Sequence, residues 1–257
     1  MTPARLGCLS LLLLLTPTFI GSCGKGNGVE NNQQLQEPTE TIESSSDTSE
    51  LPKLVRFLTE DGKEISGYEF GSGEIGIVLA HMRGRGQTSW FEFARHASES
   101  GYKVLTFDFR GYGNSTGKQD TRMDRDLKAA IAYMRKEQDG VKNGVEKIVI
   151  IGASMGGAAA IYVADQENVD GVAALSPPTT YGRINALEAA VSMNTALLLV
   201  VAENDPPYNK YANQFRSTAP TTQFIEIAGS QHGTNLFAEQ PEQLYEQLLA
   251  FVYARTR

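Results

Sequence analysis

Cysteine is nearly absent from this 257-residue chain: Cys8 and Cys23 are the only two. Both lie at the amino end, so no disulfide can form within the remaining chain, and whatever folds there is held by buried apolar surface. Histidine is scarce as well. His81, His96 and His232 stand far apart, with none of the spacing that gathers a metal ion, so a metal mechanism has no support. Long hydrophobic runs are also lacking. The apolar stretch Leu6 to Ile20 is fifteen residues and is interrupted by Pro17, whereas a bilayer crossing takes roughly 20. Nor is there an excess of positive charge. The net charge is −7, of which −5 falls in residues 24–52, where six acids face Lys25 alone. With +1 from Arg5, the residues from 53 onward carry −3, no broad basic field exists for phosphates, and nucleic-acid binding is excluded as a function. What is present is ordinary: 41% apolar and 21% charged residues, enough to bury a sizeable core.

The amino end reads as an address. Arg5 followed by the leucine-rich run has the charged region and apolar core of a secretory signal peptide. Ile20-Gly21-Ser22-Cys23 resembles the lipobox of bacterial lipoproteins. That resemblance implies a signal peptide over residues 1–22, a lipidated Cys23, and an exported protein anchored to a membrane of the bacterial cell envelope. One acyl chain anchors only marginally, and bacterial lipoproteins, as the resemblance implies, carry several. Residues 24–52 are rich in Gly, Asn, Gln, Glu, Ser and Thr and cannot bury enough surface to offset chain entropy. With Cys23 they make a flexible acidic linker over 23–52, spanning on the order of 30 Å as a coil.

From Lys53 to Arg257 the pattern is that of one folded domain. Val55–Leu58 and Ile65–Phe70 alternate around Asp61-Gly62, a hairpin signal. Apolar runs then follow at Ile75–Ala80, Val104–Phe107, Ile148–Ile151, Val172–Leu175, Leu197–Ala202 and Phe224–Ile227, as expected of strands buried on both faces. Between them lie helix-length segments: Trp90–Ser100, Thr121–Gln138 with Asp120 as N-cap, Gly156–Asp165 and Gln240–Tyr253. Together these predict an α/β domain with a mainly parallel sheet of about eight strands, helices on both faces, and loops for chemistry at the strand carboxyl ends.

One such loop carries a nucleophile motif. Ile148-Val149-Ile150-Ile151 runs into Gly152-Ala153-Ser154-Met155-Gly156-Gly157, and Ala158–Val163 reads as a helix. This is G-x-S-x-G between strand and helix, the setting in which a sharp turn exposes a serine oxygen and the next residue, Met155, offers a backbone N–H to an oxyanion. Serine needs a general base. His96 falls within a helix, where an exposed histidine is expected, and His81 follows a strand. His232, in the loop after the last strand, is the base by position and elimination. The carboxylate that orients it comes from the loop after Leu197–Ala202, which contains both Glu203 and Asp205.

On these residues the chain resembles the α/β-hydrolase superfamily, near its esterase, lysophospholipase and dienelactone-hydrolase-like members. The order Ser, Asp, His is that family's order, and Asp108-Phe109-Arg110-Gly111-Tyr112-Gly113-Asn114-Ser115 is similar to its D-x-R-G-x-G-x-S segment, whose role there is mainly structural. The family's G-x-x-D pattern, with Ala202 for Gly, favours Asp205 over Glu203. Its His-Gly-x loop implies a second oxyanion donor at Arg83, although Met82 replaces the usual Gly and leaves Met82 and Arg83 open; His81 is expected to organise that loop. The resemblance implies a serine esterase acting on a small-molecule carboxylic ester through an acyl-enzyme, with no cofactor and a minimal cap, since only Pro177 to Thr195 separate two strands where many relatives carry a helical lid. Such a site is expected to be open and to need no interfacial activation. Arg83 and Arg85 raise the further expectation of a preference for negatively charged substrates. Acyl transfer or peptide cleavage on the same triad, and a tethered binding module without turnover, stay open.

Overall fold

The computed structural model describes residues 51–119, 122–136, 144–219, 222–238 and 240–257. The expected signal peptide, Cys23, the expected linker up to residue 50 and the Asp120 cap lie outside the described residues. Within them, β1 (Lys53–Leu58) and β2 (Glu64–Phe70) form the expected antiparallel hairpin. They are followed by β3 (Ile75–Ala80), α1 (Phe91–Glu99), β4 (Lys103–Phe107), α2 (Met123–Arg135), β5 (Lys147–Ala153), α3 (Met155–Ala164) and β6 (Gly171–Leu175). A two-residue hairpin, β7 (Thr180–Tyr181) and β8 (Ile184–Asn185), leads to α4 (Ala186–Ser192). The chain then forms β9 (Leu197–Ala202), α5 (Tyr208–Thr218), β10 (Gln223–Ile227) and α6 (Pro241–Thr256).

Eight of these strands make one sheet in the order β1-β2-β4-β3-β5-β6-β9-β10, antiparallel from β1 to β4 and parallel from there on. Alternation along each central strand splits its side chains between two apolar layers. Ile148 and Ile150 of β5 join Leu127, Ile131 and Ile161 of α2 and α3, while Val149 and Ile151 join Phe93, Leu244 and Leu248 of α1 and α6. All six residues of β9 are buried. Each such side chain removed from water contributes about 1.5–3 kcal/mol, which is why these segments read as unbroken apolar runs. In α6, Leu244, Leu248, Phe251 and Val252 recur at helical spacing and supply the inward face.

Two elements differ from the sequence-based expectation. Helix α2 begins at Met123, with Arg122 in the cap position and no side-chain cap bond. Helix α5 has no counterpart in the expectation, because in Tyr208–Thr218 only Ala212 and Phe215 are buried, too sparse a stripe to read as an amphipathic face. The segment between β6 and β9 is the short insertion expected, and its Tyr181, Leu187 and Met193 pack partly against the core.

The Asp108–Ser115 segment shows why its polar residues stand where they do. Asp108 accepts from the Gln87 N–H at 2.9 Å and from Gln87 Nε2 at 2.8 Å, tying the loop after β4 to the loop after β3. Ser115 Oγ donates to Asp108 O and accepts from the Ser66 N–H, closing the loop onto β2. Arg110, 2% exposed, bonds the fully buried Asp126 of α2 through Nε at 2.8 Å and Asp61 of the β1–β2 turn through NH1 at 2.9 Å and NH2 at 3.0 Å. The Arg110 hydrogen bonds, more than the neighbouring charge of Arg125, hold the Asp61 carboxyl well below its ordinary range against the opposing effect of burial.

A carboxylate whose pKa is depressed by folding stabilises fully above its unfolded pKa and loses that contribution as pH falls below it. Asp61→Asn is therefore expected to cost about 1.5–3 kcal/mol at pH 7, with the gap from wild type closing as pH is lowered below about 4. Arg110→Met is expected to cost about 3–5 kcal/mol, since it takes the guanidinium from the buried Asp126 carboxylate. Urea unfolding across pH checks both; a gap for Asp61→Asn that widened in acid would contradict the assignment.

Candidate active site

Four loops at the carboxyl edge of the sheet meet around the turn from β5 to α3. Ser154 sits at that turn with φ +48° and ψ −113°, a conformation that a side chain adopts at a cost of about 1–3 kcal/mol. The surroundings over-determine it. Its N–H donates to Leu175 O at 2.7 Å, its carbonyl accepts from the Ala158 N–H at 2.9 Å, and α3 starts at the next residue. A Cβ on Gly156 would collide with the carbonyls of Ala80 and His81, so the first turn of α3 lies directly against the end of β3. Met155 is the first residue of α3, where backbone N–H groups have no partner within the helix and the helix presents its positive end.

The loops after β9 and β10 bring an acid and an imidazole together across 27 residues of sequence. Asp205 Oδ2 lies 2.8 Å from His232 Nδ1. Asp205 is 6% exposed, whereas Glu203, the other acid of that loop, is exposed. A carboxylate only accepts, so the proton of the neutral ring resides on Nδ1 and the Nε2 lone pair is left available as a base. The ring itself packs on Tyr208 at 4.1 Å between centroids. Gly233, next along, has φ +58°, and a Cβ there would lie 2.6 Å from Met82 Sδ and 3.5 Å from Ala153 Cβ. The His232 loop thus rests on the residue preceding Ser154 and on the loop after β3. It is also tied from below, by the Gly233 N–H donating to Ser176 Oγ at 3.2 Å.

The other two histidines have different duties. His81 is fully buried; its Nε2 accepts from the Phe109 N–H at 3.0 Å, which leaves Nδ1 to donate to Met82 O at 2.9 Å. Burial pushes its pKa down, and with both nitrogens engaged it organises the loop, as the sequence led one to expect. His96 departs from the expected exposed helical residue: it is half-buried and packs on Tyr245 of α6. Tyr112 bridges the two glycine-rich loops. Its ring lies 4.8 Å from that of His81, its hydroxyl lies 4.0 Å from Met155 Sδ, and burial first, with Tyr181 second, raises its pKa against a hydrogen bond from the Gly84 backbone. Among the described residues no cluster of three or more His, Cys, Asp or Glu side chains could hold a metal ion.

Sequence reasoning missed Tyr208, Ser176 and the use made of Met82. Tyr208 follows the acid-bearing Asp205-Pro206-Pro207, and Ser176 ends a central strand, so both positions were readable although their contacts were not. Met82, a departure from the expected glycine, is buried with its sulfur against Gly233 and 3.5 Å from Thr234 Oγ1.

Residues 77–234 match the family described as alpha/beta hydrolase fold. Over 109 residues the chain is 34% identical to an Escherichia coli K12 2-hydroxy-6-oxononadienedioate/2-hydroxy-6-oxononatrienedioate hydrolase, a match covering 40% of this chain and 36% of that protein. Over 130 residues it is 32% identical to a Burkholderia vietnamiensis hydrolase of the same name, covering 48% of this chain and 42% of that one. The chain thus spans less than half the length of these relatives. Among solved structures, a Pyrococcus furiosus esterase superposes with a TM-score of 0.71 at 21% identity, covering 80% of this chain and 93% of that one. A Rhodococcus sp. esterase superposes with a TM-score of 0.67 at 14% identity, covering 79% and 99%. The sheet order, the strand-to-helix serine turn and the match over 77–234 place the chain in the alpha/beta hydrolase fold family.

Proposed function

We propose that the protein is a serine hydrolase that cleaves a carboxylic ester through an acyl-enzyme. The observation that carries this reading is the Asp205–His232 pair at 2.8 Å, borne on a loop packed against Ala153, with Ser154 beside it in the strained turn. Ser154 Oγ attacks the ester carbonyl carbon while His232 Nε2 takes its proton. Asp205 keeps the Nδ1 proton in place and stabilises the imidazolium. The imidazolium then protonates the leaving alcohol, and water activated by the same nitrogen releases the acid.

Negative charge on the tetrahedral oxygen is met by the Met155 N–H and by a donor from the loop after β3. Arg83 is favoured for that donor. The Met82 carbonyl accepts from His81 Nδ1 and from the Arg85 N–H at 3.3 Å, so it faces the interior of the loop. In a trans peptide the following N–H, that of Arg83, points the opposite way.

Substrate preference follows from the arginines. Arg85 Nη2 lies 3.4 Å from Oδ1 of Asn235 in the His232 loop, whereas exposed Arg83 offsets a small part of the burial that raises the Tyr112 pKa. The curated relatives are named for a dioate. Both support a site that takes acyl groups bearing a carboxylate, read by Arg83. The same reading includes export and attachment to a cell-envelope membrane through lipid on Cys23.

Three measurements check this. A fluorophosphonate probe is expected to label wild type and not Ser154→Ala; Asp205→Asn should lower kcat on the order of 10⁴-fold while Glu203→Gln leaves it near wild type, and labelling of Ser154→Ala would remove the nucleophile assignment. Matched neutral and carboxylate-bearing esters should differ in kcat/KM by about 10- to 100-fold, a difference that Arg83→Ala erases; equal values would retire the anionic preference. In a bacterial host, Cys23→Ser should shift the protein from the membrane to the soluble fraction, and unchanged attachment would count against the lipid anchor.

A further inference from the structure

Only two non-glycine residues among those described have a positive φ, and both have φ +48°: Ser154 and Ser176. Ser154 directly follows β5, and Ser176 directly follows the adjacent strand β6 at the same edge of the sheet. The strain at Ser154 has a use in the proposed reaction, since it exposes the nucleophile. Ser176 exposes nothing, being 0% accessible. Its N–H donates to Val200 O at 2.8 Å, which continues the β6–β9 pairing, and its Oγ accepts from the Gly233 N–H at 3.2 Å. Glycine would take this backbone conformation without strain; what glycine lacks is the hydroxyl. An outlier of this kind persists where the surrounding structure uses it.

We propose that Ser176 is a positioning residue for His232, and this rests on the reading of His232 as the general base. Gly233 N belongs to the peptide unit that carries the His232 carbonyl, so the Ser176 hydroxyl fixes the plane from which the imidazole projects. The other restraints on this loop come from the loop itself or from other loops. Asp205 holds the ring at Nδ1, Tyr208 covers its face, and Met82 touches Gly233 through a non-directional sulfur contact. The Asn235 N–H bond to the His232 carbonyl at 3.1 Å is internal to the loop, whereas the Ser176 bond ties the same peptide to the strand next to the nucleophile's own. The spacing between Ser154 and His232 is thereby referenced to the β5–β6 register instead of to loop packing alone. Displacement of a reacting group by about 1 Å costs on the order of 10²-fold in rate.

The test uses Ser176→Ala and Ser176→Gly in the full chain. Ser176→Ala keeps the strained backbone and loses the hydroxyl; Ser176→Gly loses both. Ester turnover is expected to fall in each by about 10- to 100-fold in kcat, with KM within about twofold, and to fall equally although the Gly variant unfolds at the higher temperature of the two. The downfield proton resonance of the His232 Nδ1–H is expected to shift or broaden in both. In a His232→Ala background neither substitution should reduce activity further, since a residue acting through His232 has nothing left to position. Wild-type kcat in both variants, or a loss that tracks the fraction unfolded, or a further loss in the His232→Ala background, each overturns the assignment of Ser176. Full activity of His232→Ala itself would instead sink the hydrolase reading on which the assignment stands.

Discussion

The sheet is buried on both faces, and this one constraint organises the rest of the molecule. Every central strand sends alternate side chains into two apolar layers, so a polar or ionisable group within β3, β5, β6 or β9 would lie in a medium where an unpartnered charge is not tolerated. Chemistry is therefore confined to strand ends. At the carboxyl edge, the loops after β3, β5, β9 and β10 carry Met82 and Arg83, Ser154, Asp205 and His232 in turn, and the parallel register between β3, β5, β6, β9 and β10 sets their spacing. A parallel sheet brings distant loops to one edge, which is how an acid and an imidazole 27 residues apart come to share a 2.8 Å hydrogen bond.

The edge is held by competing demands. Ser154 must adopt a backbone conformation that side chains avoid, while the first turn of α3 presses against the carbonyls at the end of β3. Small residues at Gly152, Gly156 and Gly157 resolve the crowding, and two firm backbone hydrogen bonds to Leu175 and Ala158 keep the turn from relaxing. The strain is small beside the apolar burial of β5 and α3, each of whose core side chains contributes about 1.5–3 kcal/mol, so packing wins and the turn stays bent. The buried Arg110–Asp126–Asp61 cluster does the equivalent work at the flank, locking the loop after β4 to the hairpin and to α2.

Loops need their own internal support, and here the departure from a familiar pattern is informative. In place of the usual glycine after His81 the chain has Met82, whose side chain is buried against the His232 loop. A flexible thioether fills irregular space well, and it joins the loop after β3 to the loop after β10. His81, neutral and bonded at both nitrogens, fixes the same loop from the inside, with Tyr112 packed against it. The residues proposed to carry chemistry are thus braced by neighbours whose roles are packing and orientation.

Strand positions, the class of fold and the serine motif were legible in the sequence because each depends on local pattern: unbroken apolar runs for doubly buried strands, helical spacing for α1 and α6, small residues around a serine between a strand and a helix. Two strands, β3 and β9, coincide with the expected limits at both ends. Helix α5 escaped because its inward stripe is too thin to stand out, and the start of α2 was misplaced because its capping position carries no capping side chain. The burial of Asp205 against His232 while Glu203 stays exposed, the hydrogen bonds of His81, the packing of Tyr208 on His232 and the tie from Ser176 to Gly233 belong to tertiary structure alone. Each depends on which way a side chain or peptide plane faces after the loops converge, and composition and spacing carry no information on that, since Tyr208, Asp205 and Ser176 meet the His232 loop from 24, 27 and 57 positions away.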